Sequence, residues 1–279
     1  NWGGLTDPVS KAGAWLIDRH ALTGITETLP DHHAAPYSLT EEFITVYRLH
    51  PLIPDDFYLR DARDHRLLDH LKFDALQGRH TSKVMRGTGL ENTLYSLGTA
   101  HPGAVTLHNY PDALRAFTRQ TADGDEERID LSVVDIMRER SRGIPRYNAF
   151  RKGLHKAPIT RWEDLNPDPE TVRKLRDIYG SIDNIDTMVG LFAEEPPTGF
   201  GFSDTAFRIF LLMATRRIQS DRFLTVDFRP EIYSPEGIAW VNENTMTSVI
   251  LRQYPELASV IPTDRSAFAP WRVRQAPAT

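Results

Sequence analysis

The sequence predicts a mainly α-helical protein with little β structure. Apolar residues recur at the three- and four-residue spacing of an amphipathic helix over most of the chain, whereas runs that alternate apolar and polar residues are few. Helix-starting and helix-stopping residues flank such runs, as Asp168 and Pro169 do before one helix and Gly180 does after it. We therefore expect helices joined by proline-containing loops.

The predicted helices follow one another along the chain. The first is expected over Ser10–Ile25, and the second enters through a capping box with Ser38 as N-cap and Glu41 at the third helical position. After Pro51 a polar, strand-like or irregular stretch leads to a glycine-rich segment at 85–94. The remaining helices are predicted at Leu90–Leu97, Asp112–Gln120, Leu131–Arg140, 168–180, 203–223, 234–243 and 245–255.

Composition and charge exclude some classes of function and argue against others. The 279 residues are 40% hydrophobic and 25% charged, a balance typical of a globular protein. The formal net charge is -5 and no block of Lys and Arg occurs, which argues against nucleic acid or an anionic membrane as a partner. The absence of cysteine excludes thiolate catalysis, disulfides and cysteine-ligated metals. No apolar run has the length of a transmembrane helix, and no signal assigns a compartment.

A tyrosine and a histidine stand three residues apart near the end of the second predicted helix. At helical spacing, Phe43, Val46, Tyr47 and His50 fall on one face, which we expect to be buried. Pro51 disfavours helical backbone at the residue before it, so His50 is expected at or just past the last turn. The imidazole could leave the helix surface there and reach a partner.

Periodicity leaves two interpretations of this pair open. In the first, Tyr47 is a core residue and His50 is bonded to a backbone carbonyl. In the second, His50 is the axial ligand of a haem iron and Tyr47 lies beside the macrocycle, which requires the same one-face placement in apolar surroundings. The spacing is compatible with both.

Another candidate lies on the long helix predicted after Ser203. The apolar stripe of this helix comprises Phe207, Phe210, Leu211, Ala214 and Ile218. Steps of about 100° per residue place Arg217 at the edge of the stripe and Arg216 on the opposite face. An inward-facing guanidinium requires a partner, and a substrate carboxylate would satisfy it. An ion pair with Asp221, or extension of the side chain to solvent, would satisfy it equally.

Three sequence blocks resemble motifs of one family. Residues 47–55 fit Y-R-x-H-x-L-x-P-D, residues 138–151 fit R-x-R-x-x-G-x-P-x-Y-N-x-x-R, and residues 179–194 fit Y-G-x-x-x-x-I-D-x-x-V-G-x-x-x-E. Their order resembles that of the animal-type haem peroxidases, the superfamily that includes the cyclooxygenases. Within it the chain is most similar to the fatty-acid alpha-dioxygenases, through stretches such as SLTEEFITVYRLHPLIPD and SRGIPRYNAFRKGL.

The resemblance implies a role for each candidate residue. His50 matches the proximal ligand of haem b, and Tyr47 matches the tyrosine that the haem oxidises to a radical. That radical would remove a hydrogen atom from C2 of a fatty acid, and O2 would trap the carbon radical as a 2-hydroperoxide. Arg217 matches the anchor of the fatty-acid carboxylate, and Asn109 is expected to accept the second N–H of the proximal imidazole.

The resemblance also implies that part of the enzyme lies outside the chain. The family's distal histidine and a calcium-binding loop belong to an upstream segment, and the stretch with His20 does not match the distal motif. We therefore expect residues 1–279 to be the C-terminal, proximal-haem part of a single haem-peroxidase-like catalytic domain. Two alternatives stay open: a general haem peroxidase that oxidises small donors, and a non-catalytic haem-binding or degenerate scaffold.

Overall fold

The computed structural model describes residues 29–32, 39–76, 78–264 and 266–274. Helices predominate in them, which confirms the predicted class. The α-helices are α1 (Glu41–Val46), α2 (Arg79–Thr88), α3 (Leu90–Thr99), α4 (Asp112–Arg115), α5 (Leu131–Ser141), α6 (Tyr147–Gly153), α7 (Pro169–Tyr179), α8 (Thr187–Ala193), α9 (Asp204–Ser220), α10 (Pro230–Tyr233), α11 (Pro235–Glu243) and α12 (Met246–Gln253). The helix predicted over Ser10–Ile25 lies outside the described residues.

Two short antiparallel hairpins supply the β structure of the described residues. The strands are β1 (Asp56–Arg60), paired with β2 (Leu67–Lys72), and β3 (Phe117–Gln120), paired with β4 (Glu126–Ile129). The first hairpin occupies the stretch predicted to be strand-like. The predicted helix Asp112–Gln120 is wrong beyond Arg115, because the following residues satisfy their backbone N–H and C=O groups across the ladder to β4.

Capping side chains determine where several helices begin. Asp130, Asp168 and Ser203 accept hydrogen bonds from backbone N–H groups in the first turns of α5, α7 and α9, respectively. Gly180, with a φ of 68°, ends α7 at the predicted position. These boundaries agree with the sequence because a cap is a local interaction.

Helix α1 begins later than the sequence predicts. The expected N-cap, Ser38, lies outside the described residues, and the N-cap is Thr40, whose hydroxyl accepts the Phe43 N–H at 3.2 Å. Glu41 is therefore the first helical residue and not the third. Its carboxylate accepts two hydrogen bonds from Arg138 of α5, at 3.0 and 3.1 Å, so it ties α1 to α5 and does not close a capping box.

Contacts divide the described residues into two compact units. One comprises the described parts of Trp2–Leu52 and Gly103–Ile232, and the other those of Ile53–Pro102 and Tyr233–Thr279. The first unit contains both candidate segments of the sequence analysis. No helix in the described ranges combines the length and apolar character needed to cross a membrane.

The core of the first unit packs α6 against α8. Tyr147 of α6 is fully buried, and Gly190 of α8 lies so close to its ring that a Cβ at this glycine would overlap the ring. The Tyr147 hydroxyl donates to Glu194 at 2.6 Å, and Arg140 of α5 binds Asp186, before α8, at 2.6 and 3.0 Å. The last two sequence blocks therefore pack against each other, and Leu49 and Leu52 of the segment after α1 pack against the same hydrophobic core.

The second unit has its own core, in which Tyr95 and Leu257 are fully buried. Trp271 covers Gly98 of α3 and donates its backbone N–H to the Gly98 carbonyl at 2.8 Å. The Arg274 N–H donates to the Tyr95 hydroxyl at 2.9 Å. The segment up to residue 274 is thereby fixed to α3.

Candidate active site

Tyr47 and His50 lie on different local elements. Helix α1 ends one residue before Tyr47, which is its C-cap, and His50 opens a short 3₁₀ turn. The prediction that one helical face carries both residues is therefore wrong. The chain turns ahead of Pro51, where helical backbone is disfavoured, with the Leu49 N–H donating to the Tyr47 carbonyl at 2.8 Å.

The His50 imidazole is held through its Nδ1 atom. Nδ1 lies 3.1 Å from the hydroxyl oxygen of Tyr110, and that hydroxyl donates to Asp135 Oδ2 at 3.2 Å. A phenol carries a single proton, so when the Tyr110 hydroxyl donates to Asp135, it is the His50 Nδ1–H that donates to the phenol oxygen. The neutral imidazole then has its lone pair on Nε2, the atom that can bind a metal ion.

Charges around the imidazole keep this arrangement in one protonation state. Burial lowers the pKa of His50, although the Asp135 carboxylate acts in the opposite direction. Burial raises the pKa of Asp135, and the Arg48 guanidinium, 3.0 Å from Oδ1, opposes that rise. Burial and the nearby carboxylate both raise the pKa of Tyr110, which stays a donor. The cluster therefore favours a neutral histidine beside a charge-compensated carboxylate.

Asn109 occupies a different place from the predicted one. Its amide nitrogen donates to the carbonyls of Pro51 and Ala104, at 3.1 and 2.7 Å. It therefore holds the loop after His50 and does not accept a hydrogen bond from the imidazole. The acceptor position predicted for it is taken by the next residue, Tyr110.

Gly103 allows this loop to approach closely. Its N–H donates to the Leu52 carbonyl at 3.1 Å. A Cβ at position 103 would overlap the Pro51 carbonyl oxygen and crowd the Asn109 amide. Only glycine permits this contact, which fixes the backbone directly after the histidine.

Tyr47 lies in a stack of aromatic rings. Its ring centroid is 4.0 Å from that of Phe43 and 5.4 Å from that of Phe210 on α9. The residue is 37% exposed, so it is less buried than the sequence predicts. Burial raises the pKa of the Tyr47 phenol, and the positive charge of Arg217 acts against that rise. The phenol is thus protonated and within electrostatic reach of a guanidinium.

The two arginines of α9 face different surroundings, as the predicted helix face requires. Arg216 is exposed and Arg217 is half-buried. Phe210 of α9 stacks on Tyr47, and Arg217 follows Phe210 by seven residues, close to two full helical turns, so Arg217 lies on the side of α9 that faces the end of α1. An anion bound there would lie beside the Tyr47 phenol.

A second buried carboxyl lies one helical turn from Asp135 on α5. Glu139 is 4% exposed, and its Oε2 accepts the Met188 N–H at 3.0 Å. Burial raises the pKa of Glu139 to about 7, although hydrogen bonding from Met188 and from the Thr45 hydroxyl of α1 lowers it. Glu139 can therefore gain or lose a proton near pH 7, at a buried position next to α1.

Sequence reasoning did not identify Tyr110, Asp135 or Arg48 as parts of the site. Asp135 and Glu139 are four residues apart and therefore lie on the same face of α5, which is buried. Two carboxyl groups at this spacing are a sequence pattern that could have indicated the site. Tyr110 has no local signal, because 60 residues separate it from His50. Its role depends on the tertiary contact.

The arrangement combines three chemical elements. An imidazole is oriented with its Nε2 lone pair available, a protonated phenol lies three residues earlier in the chain, and a guanidinium charge acts on that phenol. Such a set can hold a metal centre, supply an oxidisable hydroxyl and bind a carboxylate.

Comparison with known proteins gives consistent matches. The animal haem peroxidase family model matches residues 17–265. An alpha-dioxygenase from Pisum sativum is 39% identical and alpha-dioxygenase 1 from Arabidopsis thaliana is 38% identical, each over 97% of this chain and 44% of the relative. The crystal structure of Oryza sativa fatty acid alpha-dioxygenase matches with a TM-score of 0.81 at 39% identity, over 89% of this chain and 43% of that one. A further crystal structure of the Oryza sativa protein, a variant with palmitic acid, also matches with a TM-score of 0.81. The chain spans about 44% of the length of these curated relatives.

Proposed function

This chain belongs to the animal haem peroxidase family, and we propose that it is the proximal part of a haem-dependent fatty-acid alpha-dioxygenase. The observation that carries the proposal is the directed hydrogen-bond chain from His50 through Tyr110 to Asp135. It orients a neutral imidazole with Nε2 available, next to a segment that also bears Tyr47. The solved relative with palmitic acid supports a long-chain fatty acid as the substrate.

The residues present suit a haem group. A proximal ligand is a neutral histidine whose Nδ1–H is hydrogen-bonded, and the contact of His50 Nδ1 with the Tyr110 hydroxyl, together with the lowered pKa of His50, suits this role. Asp135, through Tyr110, makes the imidazole a stronger electron donor. We propose haem b as the cofactor, with the distal histidine and a calcium site supplied by a segment not in this chain. Residues 1–279 are then one part of a single catalytic domain.

His50, Tyr47 and Arg217 each have a separate role in the proposed reaction. Haem bound at His50 would supply the one-electron oxidant for the phenol. Tyr47, as a phenoxyl radical, takes a hydrogen atom from C2 of the fatty acid and becomes a phenol again. O2 adds to the carbon radical, and the peroxyl radical takes the hydrogen atom back from Tyr47, which yields the 2-hydroperoxide and restores the phenoxyl. Arg217 binds the carboxylate and so keeps C2 at the phenol.

The test replaces Tyr47 with phenylalanine in the haem-loaded protein that contains this chain. The substitution removes one hydroxyl, so we expect an unchanged Soret band, retained peroxidation of a small phenol and loss of palmitate-dependent O2 uptake. Tyr58→Phe is the matched control, because Tyr58 is a half-exposed tyrosine on β1. Oxygenation by Tyr47→Phe at the wild-type rate would show that another group abstracts the hydrogen.

The open alternative is a general haem peroxidase that oxidises small donors. Such an enzyme has no need of a guanidinium near its oxidisable tyrosine, whereas Arg217 lies on the face of α9 whose Phe210 stacks on Tyr47, and its charge acts against the rise in the pKa of that phenol. This observation favours the dioxygenase. A non-catalytic scaffold would give neither activity.

A further inference from the structure

A row of aromatic rings leads away from Tyr47 along α9. The ring of Tyr47 stacks on Phe210 at 5.4 Å, and Phe210 stacks on Phe207 at 6.2 Å, with interplanar angles of 24° and 10°. Phe200 and Phe202 then meet Phe207 at 4.8 and 5.6 Å, with angles of 70° and 57°. The row therefore begins with stacked rings at Tyr47 and ends at Phe200 and Phe202, whose ring planes are steeply inclined to that of Phe207.

The position of Arg217 determines the direction in which a bound fatty acid would lie along this row. Arg217 follows Phe210 by seven residues on α9, which is about 10 Å along the helix axis. Phe207 precedes Phe210 and so lies on the other side of the Tyr47 contact. If a carboxylate binds to Arg217 and C2 lies at Tyr47, the remaining carbons must leave on the side of Phe210 and Phe207.

The rings that stand across the row are held in place. Phe200 closes a turn by donating its N–H to the Pro197 carbonyl at 2.9 Å, and Gly199 within this turn has a φ of 80°, which favours glycine. The Gly201 carbonyl, between the two phenylalanines, accepts the Val105 N–H at 2.7 Å. The position of this end of the row is therefore set by the backbone.

The exposure of the phenylalanine side chains differs along the row. Phe207 is 8% exposed because Phe200 and Phe202 cover it, whereas Phe210 and both covering rings are half-buried. Apolar ring area thus remains accessible on Phe210, beside Tyr47, and on the two covering rings, and Arg217 lies on the same helix as Phe210. An apolar strip with a cation at one end complements an amphiphile with an anionic head and a long apolar tail.

We propose that Phe200 and Phe202 are the distal stop of the acyl-chain site and set the length of fatty acid that the protein accepts. This inference rests on the proposed function for the identity of the ligand. The acyl chain passes Phe210 away from Tyr47, and its methyl end meets Phe200 and Phe202, the two rings that cover Phe207. Fatty acids longer than this distance are disfavoured because their last carbons have no space.

The experiment changes the stop and measures the chain-length profile. Phe200→Ala, Phe202→Ala and the double variant are compared with wild type on dodecanoic, palmitic and docosanoic acids, by kcat/KM for O2 uptake in the haem-loaded protein. Each additional methylene accommodated favours binding about fourfold, so we expect the docosanoate-to-palmitate ratio to rise at least about tenfold in the double variant. Phe57→Ala is the control, since Phe57 is a half-buried phenylalanine of β1 outside the row.

A binding measurement separates this inference from the proposed function. Dissociation constants of the three acids are measured by calorimetry in wild type and in each variant, independently of turnover. A shift toward docosanoate without any oxygenation would support the stop and refute the dioxygenase. Phe202→Trp, which enlarges the stop, should shift preference toward dodecanoate and serves if an alanine variant fails to fold. An unchanged length profile in the double variant, or in Phe202→Trp, would overturn the inference.

Discussion

Replacing Glu139 with glutamine should change how the stability of the protein depends on pH. Glu139 is 4% exposed, and burial raises its pKa from the usual 4.5 to about 7 in the folded state. At about 1.4 kcal/mol per pKa unit, this difference corresponds to about 3 kcal/mol of folding free energy. Protonation of the Glu139 carboxyl group therefore contributes to the free energy of folding.

The sign of the effect follows from the direction of the shift. Below pH 4.5 the carboxyl is protonated in both the folded and the unfolded state. As the pH rises from 4.5 toward 7, the unfolded chain releases the proton while the folded protein retains it, so the free energy of unfolding falls. Above pH 7 both states are ionised and this contribution stays constant.

Denaturant unfolding at a series of pH values measures the effect. Glu139→Gln keeps the shape and an oxygen that can accept the Met188 N–H, but it does not titrate. The stability of the variant relative to wild type should therefore rise across the window by about 3 kcal/mol. A stability difference that is independent of pH would refute the reasoning, because it would mean that Glu139 has the same pKa in both states.

Three other substitutions have specific expected outcomes. His50→Ala should abolish the Soret band of the haem-loaded protein, and a normal haem spectrum in this variant would end the assignment of the axial ligand. Arg217→Ala should raise the KM for palmitate by about ten- to a hundredfold, since a charge-assisted hydrogen bond contributes about 1.5–3 kcal/mol, with small-donor peroxidation unchanged. Arg216→Ala is its control, because Arg216 is exposed on the same helix, and equal effects of the two changes would contradict the anchor. Gly103→Ala should lower the free energy of unfolding by about 1–3 kcal/mol because its Cβ overlaps the Pro51 carbonyl, and unchanged denaturant midpoints would show that this contact relaxes without cost.

The sequence predicted the class of the fold and many helix boundaries because these depend on neighbouring residues. Asp168 and Gly180 act within one turn of the helix that they limit, so their effect is readable without tertiary contacts. The same locality explains why the apolar stripe of α9 places Arg216 outward and Arg217 inward. The resemblance to family motifs added the prediction that His50 binds the haem iron, a choice that spacing left open.

The tertiary structure decided which residues hold the imidazole. Tyr110 lies 60 residues from His50 in sequence, and Asp135 lies 25 residues beyond Tyr110, yet the three side chains form one hydrogen-bond chain. Asn109 had the right residue type for an acceptor, but its amide satisfies the backbone carbonyls of the loop. Competition for buried hydrogen-bonding groups is settled only when distant segments pack, so no local pattern could distinguish these neighbours.

Backbone pairing beyond the local window also explains an error in the predicted helices. Residues 117–120 follow a short helix and were predicted to continue it, but their backbone groups pair with β4. Helix α1 ends before Tyr47, ahead of Pro51, and Gly103 and Asn109 hold the backbone that follows His50. The sequence by itself therefore determined the helical class, the start and end of α7 and the different exposure of Arg216 and Arg217 on α9, which depend on interactions within a few residues. The structure alone decided the partners of His50 and the contact between Tyr47 and Phe210, because both depend on contacts between segments far apart in the chain.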